Sequence, residues 1–269
     1  MANPVKTAIS RLYPDRILVR GYNLVEMAGR YSFGDTFYLL ITGELPTGHE
    51  GDLLEAMMVM SVEHSLNAPS THTARAVANC GVPLQSAVAA GISAIGEHHG
   101  GAGEACARLL QEALQESPDE DVKRMAAGLV AQFQAAGRRL PGFGHRFHDP
   151  DPRARRLLSL AQEWGIVGAH VALARAIEEA LQASTGRSLP MNVDGAQAAL
   201  LSDMGVDWHY AKSVFILGRS AGLVAHAVEE MTTGKPFRFI APVQAEYIGP
   251  AERPLPGGTA TIVAEEKNL

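Results

Sequence analysis

No stretch of this 269-residue chain alternates apolar and polar side chains for long, whereas apolar residues recur at helical spacing in segment after segment. A strand buries one face with a period of two, and a helix buries one face with a spacing of three and four. The expected fold class is therefore all-α. Val25, Met27, Ala28, Phe33, Phe37, Leu39, Leu40 and Ile41 are spaced as on amphipathic helices, and Gly43-Glu44-Leu45-Pro46 closes that segment. Further helices are expected at 50–61, 73–79, 84–95, 104–115, 119–136, about 152–164, 167–184, 195–204 and 207–232. The segment 84–95 is small and apolar almost all round, which predicts burial on most sides. The breaks between helices are short, and internal repeats and low-complexity segments are absent.

Composition narrows the functional classes. Hydrophobic residues at 46% and charged residues at 19% describe an ordered chain with a sizeable core. A net charge of −6 argues against a nucleic-acid partner. The longest weakly polar run, Ser86 to Gly96, is too short to span a bilayer, so no membrane role is expected. Cys80 and Cys106 show neither metal-ligand spacing nor a disulfide framework, and the start of the chain carries no basic segment followed by an apolar core. The expected location is the cytoplasm.

The chemistry sits in the breaks. Pro141-Gly142-Phe143-Gly144-His145-Arg146 makes a tight turn with His145 at its tip, and Asp149-Pro150-Asp151-Pro152-Arg153 then enters the next helix. Other breaks expose His64, His98-His99 and Asp194, while Arg219 lies within the late helix and Arg238 just beyond it. One carboxylate, several histidines and several arginines suit proton abstraction beside a carbonyl on a polycarboxylate. The carboxylate moves the proton, a histidine stabilises the enolate oxygen, and arginines hold carboxylates. Each residue also has a structural reading: Asp194 fits an N-cap for a helix beginning near Gly195, and the histidines fit hydrogen-bonded loop positions. An adjacent His98-His99 pair does not present two ligands at i, i+4, and no Cys/His set completes a tetrahedron, so no metal is expected. Gly100-Gly101-Ala102-Gly103 lacks the dinucleotide spacing and follows a helix, so no nicotinamide cofactor is expected either.

Taken together and in order, several segments resemble the citrate synthase superfamily over about residues 17–240. They are Arg20-Gly21-Tyr22-Asn23-Leu24, Gly43-Glu44-Leu45-Pro46-Thr47, Glu63-His64-Ser65-Leu66-Asn67-Ala68-Pro69-Ser70-Thr71, His99-Gly100-Gly101-Ala102, Pro141 to Arg146, and Asn192-Val193-Asp194. The resemblance implies a two-domain helical fold, with residues 1–100 and 215–269 as the large domain and 101–214 inserted as the small one. It implies that Asp194 is the general base toward the acetyl-CoA methyl group, that His99 hydrogen-bonds the enolate oxygen, and that His145 faces the oxaloacetate carbonyl. It further implies that His64, Arg153, Arg219 and Arg238 bind substrate carboxylates, Arg238 being supplied by the partner subunit of a homodimer or higher homo-oligomer. Pro141, Gly142, Phe143, Gly144 and Arg146 would contact coenzyme A, which enters as a thioester substrate; no separate cofactor is implied.

Three features resemble citryl-CoA lyases more than synthases: Asn192-Val193-Asp194 followed by Gly195, the compact length, and the tail Tyr247-Ile248-Gly249-Pro250. His99 instead resembles the synthases, since the lyase module carries an aromatic residue at that place. The chain starts almost at the Arg-Gly-Tyr segment, without the N-terminal extension of ordinary citrate synthases. The interval from His145 to Arg153 is one residue shorter than the family pattern. The expected activity is thus cleavage of citryl-CoA to acetyl-CoA and oxaloacetate. Citrate or 2-methylcitrate synthesis and a non-catalytic paralogue that binds CoA or a dicarboxylate are the alternatives.

Overall fold

Helix stop signals and caps, more than propensity, decide where the elements of this chain begin and end. The computed structural model describes residues 5–145, 148, 150–236, 246–253 and 256. A small antiparallel sheet comes first: β1 (Ser10–Leu12), β2 (Ile17–Val19) and β3 (Tyr22–Asn23), with Ser10 opposite Val19 and Leu18 opposite Asn23. Strands of two or three residues are too short for alternation to show in the sequence. The other elements are helices: α1 (Leu24–Met27), α2 (Phe33–Thr42), α3 (Glu50–Ser61), α4 (Pro69–Asn79), α5 (Leu84–Ser93) and α6 (Ala102–Glu116). They continue with α7 (Val122–Ala135), α8 (Pro152–Glu163), α9 (Ala169–Thr185), α10 (Val193–Asp203), a 3-10 turn (Trp208–Tyr210) and α11 (Ala211–Thr233).

The caps explain the boundaries. Ser32 and Asp35 close a capping box on α2, and Gly43 ends that helix at φ 94°. Asp121 and Asp151 cap α7 and α8, each accepting backbone N–H bonds within the first turn. Helix α4 starts four residues earlier than its apolar spacing suggested. Pro69 stands at N1, where its missing N–H costs nothing, so the polar residues Ser70 to His72 form the first turn and not a loop.

Helix α10 is the centre of the molecule. Residues Val193–Ser202 are buried with the sole exception of Asp194, and α6, α8 and α9 pack round them. A second layer sets α11 against α3, α4 and α5. Small residues allow its close approach: a Cβ at Gly218 would stand 2.4 Å from the Met58 carbonyl oxygen, and one at Gly222 would stand 2.2 Å from that of Val62. That contact presses Arg219, which lies between them, against the end of α3.

Helix α5 departs from expectation. In this single chain only Ala87 and Gly91 of Leu84–Ser93 are buried, Gly91 fitting closely against Ser70, Ala74 and Leu223. Its other small residues face outward because α4 and α11 cover one side only. Among the described residues no helix is long and apolar enough to cross a membrane. Residues 246–253 and 256 belong to a separate C-terminal unit, in which the Tyr247 hydroxyl donates to the Pro250 carbonyl at 2.9 Å.

Candidate active site

The start of α10 explains why Asp194 is free to act. Asn192 is the N-cap, and its Oδ1 accepts from the N–H groups of Asp194 at 3.0 Å and Gly195 at 3.1 Å. The alternative that Asp194 itself caps the helix is thereby excluded. A cap residue's side chain must fold back onto the backbone, whereas Asp194 sits in the first turn with its carboxyl turned to a cavity. The His145 turn is strapped to the same segment. Asn192 N–H donates to the Gly142 carbonyl at 3.0 Å, Asn192 Nδ2 to the Gly144 carbonyl at 2.7 Å, and Gly144 N–H to the Pro190 carbonyl at 2.8 Å. Gly142 at φ 86° makes this possible, lying against Cys106 and Gly195 with no room for a Cβ.

His99 stands between α5 and α6. Mutual backbone bonds of Gly96 and His99 (3.0 and 3.2 Å) hold the turn, and Gly100 at φ 84° packs on the Phe215 ring. Phe215 meets the His99 ring edge-on at 5.6 Å and lies under the Arg219 guanidinium at 4.9 Å. His99 Nε2 is 2.8 Å from the Ser70 hydroxyl and 3.4 Å from the Ser70 nitrogen, whose N–H donates to it. Arg219 is 2% exposed, donates through Nε to the Ser61 carbonyl at 3.0 Å, and reaches the Ser70 hydroxyl at 3.5 Å.

His64 follows α3 in a loop that includes Ser65 at φ 68°. Glu63 accepts the His64 N–H at 2.9 Å and pairs with His226 Nε2 at 2.9 Å. The His64 ring is edge-on to His145 at 5.7 Å, and His145 stacks on His148 at 4.6 Å. His148 N–H donates to His145 Nδ1 at 3.1 Å, while Arg153 Nη2 lies 3.5 Å from His145 Nε2.

His64, His99, His145, Arg153, Asp194 and Arg219 all line one cavity of about 200 Å³, with Ser61, Asn67 and Phe215 among its other walls. Its electrostatics favour a polyanion. Burial, aided by Arg153 and Arg219, lowers His64; burial and Arg219 lower His99. Burial lowers His145 as well, with Asp151 opposing and His148 and Arg153 adding to the effect. Burial raises Asp194 above the usual carboxylate range; Arg153 and Arg219 oppose this and Asp151 adds to it. The imidazoles are thus kept neutral, and the Asp194 carboxyl holds its proton to higher pH than an exposed one does. His64, His145 and His148 bring ring nitrogens within 4.8 Å of one another, a spacing a metal ion could use. Two guanidinium groups face the same space, and they suit carboxylates and not a dication.

Beside this cavity a larger cleft of about 640 Å³ is walled by Phe143, Gly144 and His145 on one side, and Arg138, Arg139 and Arg187 also line it. Of the expected coenzyme A contacts, Phe143 and Gly144 line this cleft, whereas Gly142 is buried against Gly195 and Pro141 is half-buried and does not line the cleft. Arg146 and Arg238 lie outside the described residues. Four residues at the site carry no signal in the spacing of the sequence: Ser70, Asp151, His148 and Phe215. Ser70 and Phe215 are placed by helix packing. Asp151 reads in the sequence only as a helix start.

The family model for the citrate synthase C-terminal domain matches residues 49–240. A solved citryl-CoA lyase from Hydrogenobacter thermophilus is 39% identical, and the match covers 94% of this chain and 98% of that one with a TM-score of 0.87. A solved citrate synthase from Thermotoga maritima is 26% identical over 84% of this chain and 60% of its own, with a TM-score of 0.67. The putative citrate synthase 2 of Mycobacterium tuberculosis is 32% identical over 207 residues, which is 75% of this chain and 52% of that protein. The chain spans about half the length of such curated relatives.

Proposed function

The chain belongs to the citrate synthase family, and on that premise we propose that it is a citryl-CoA lyase, cleaving citryl-CoA to acetyl-CoA and oxaloacetate. The observation that carries this reading is the convergence of His99, His145 and Asp194 with three carboxylate-binding groups on one small cavity. The resemblance to the Hydrogenobacter citryl-CoA lyase along nearly the whole of both chains supports this direction over synthesis.

In this reading Arg153, Arg219 and His64 hold the carboxylates of the citryl group. The hydroxyl proton passes to His145 Nε2, the alkoxide electrons become the oxaloacetate carbonyl, and the C–C bond breaks. Its electron pair moves into the thioester as an enolate, which His99 stabilises through a ring N–H. Asp194 delivers its proton to the methylene carbon, giving the acetyl-CoA methyl group. By microscopic reversibility, the nitrogen that takes the proton here donates to the oxaloacetate carbonyl in condensation. A carboxyl held above its usual range suits this donor role, and a cavity with fixed donors stabilises the enolate. The thioester extends into the cleft beside Phe143 and Gly144, where Arg138, Arg139 and Arg187 suit coenzyme A phosphates.

We further assign residues 101–214 to an inserted small domain and the flanking segments to a large one. His145, Arg153 and Asp194 then come from one, and His64, His99 and Arg219 from the other. The outward small residues of α5 and the exposed Val224, Val228 and Met231 of α11 suit a homodimer or higher homo-oligomer. The free thiols of Cys80 and Cys106 suit the cytoplasm.

The test is synthetic citryl-CoA, with oxaloacetate followed by coupled malate dehydrogenase. Oxaloacetate from the wild type and none from Asp194→Ala supports the lyase. Release of citrate and free CoA instead favours the synthase reading, to which the relatives named citrate synthase lend weight. No reaction leaves the CoA-binding paralogue.

A further inference from the structure

The proposed reaction employs one acidic residue, Asp194. A second, Asp151, is 1% exposed, and both of its oxygens are saturated. Oδ1 accepts from Arg153 N–H at 3.0 Å and Arg153 Nε at 3.1 Å. Oδ2 accepts from Arg153 Nη2 at 2.9 Å and, across the site, from Val193 N–H at 3.0 Å. Val193 is the first residue of α10 and immediately precedes Asp194. Asn192 takes the next two N–H groups of that helix, so Asp151 supplies the acceptor that Asn192 does not.

We infer that Asp151 is a positioning residue, locking the Arg153 guanidinium and the Asp194-bearing end of α10 into one unit. An ordinary N-cap accepts backbone N–H groups of its own helix, and a serine does that as well as an aspartate. Asp151 caps two helices and grips a guanidinium besides. A buried ion pair is a poor stabiliser compared with apolar packing, so its presence here points to geometry and charge and not to folding energy.

The inference rests on Asp194 being the proton carrier and adds how its acidity is set. The charged and titratable groups around Asp194 are Arg153 from α8, Arg219 from α11, Asp151, the Cys106 thiol of α6, and the imidazoles of His64, His99 and His145 that share its cavity. Burial, with help from Asp194, pushes that thiol up to about 12, so it stays neutral. Asp151 therefore offsets Arg153. Without it, the pull of Arg153 on Asp194 is unopposed and Asp194 ionises more readily.

The experiment compares wild type, Asp151→Asn and Asp151→Ser by carboxyl carbon NMR of aspartate-labelled protein, the Asp194 signal being assigned through Asp194→Asn. Both Asp151 variants are expected to lower the Asp194 midpoint by about one pH unit. They are also expected to raise KM for citryl-CoA about tenfold, as Arg153 loses its fixed orientation. Serine preserves the cap, so the Ser variant regains thermal stability yet keeps the lowered midpoint and weak KM. If serine restores midpoint and KM together, or if neither variant moves the midpoint, Asp151 is only a helix cap and the inference fails. Should the Asn variant not fold, the Ser variant alone decides. A wild type inactive on citryl-CoA overturns the reaction and leaves the midpoint readout intact.

Discussion

Ser70 touches one nitrogen of His99 twice, through its hydroxyl at 2.8 Å and its backbone nitrogen at 3.4 Å. A backbone N–H can only donate, so Nε2 must accept, and in the neutral ring the proton is on Nδ1. That makes Nδ1 the nitrogen able to hydrogen-bond an enolate oxygen. Removing the hydroxyl in Ser70→Ala leaves the backbone N–H but loosens the ring. The expected result is a fall in kcat of roughly tenfold, at the low end for a general acid–base or oxyanion partner. KM should move by less than about twofold, since the interaction matters chiefly in the transition state. Steady-state kinetics on citryl-CoA check both numbers.

Asp194 is expected to oppose folding at neutral pH. Its folded value is raised, first by burial, above that of the unfolded chain. The unfolded state therefore loses its proton first as pH rises, and stability declines from the ordinary Asp range up to the folded value. Each unit of such a shift corresponds to about 1.4 kcal/mol. Asp194→Asn should abolish cleavage and raise Tm at pH 7, and the gain should shrink as the pH approaches 4. Thermal melts of both proteins across that range measure it.

The three imidazoles predict a second pH effect. His64, His99 and His145 are all held below the ordinary value of 6.5, burial being the largest cause in each. As pH falls through about 6.5 the unfolded chain takes up these protons before the folded one does. The contribution of these three rings should be level above that pH and fall steadily below it. His64→Gln should make the decline shallower between pH 6.5 and 5. Melts in citrate should do the same, because a bound polyanion favours the protonated rings. An unchanged slope in His64→Gln would count against the neutral assignment.

Gly195→Ala should be among the most damaging single-methyl changes in the chain. The new Cβ would stand 2.3 Å from the Gly142 carbonyl oxygen and 2.8 Å from Met191 Cγ. The Gly142 carbonyl is backbone of the His145 turn and cannot yield without moving that turn. Overpacking of this kind costs about 1–3 kcal/mol. Loss of activity should exceed what the folded fraction accounts for, as seen by comparing specific activity with circular dichroism at 25 °C.

Much of this organisation is legible before any coordinates. The spacing of Leu53, Leu54, Met57 and Met58 marks α3, and the turn Pro141–Gly144 announces a presented His145. The ordered segments carrying His64, His99, His145 and Asp194 name the family. These are local features, because helix periodicity and turn chemistry are written within a few residues of where they act. The outward face of α5 is not legible this way. A run of small apolar residues has the same pattern whether a neighbour covers it or not, and the packing of α4 and α11 left most of it open.

The sequence by itself determined the helical class, the turn that carries His145, and the residue types able to hold carboxylates and move a proton. Only the tertiary structure decided that Asn192 caps α10 and frees Asp194, that Ser70 sets the His99 tautomer, and that Asp151 ties Arg153 to Val193. These contacts join positions 29 and 42 residues apart, as for Ser70 with His99 and Asp151 with Val193. Nothing in local propensity encodes such pairings. They exist because burying α10 on all sides requires its polar end to be satisfied by groups from other helices.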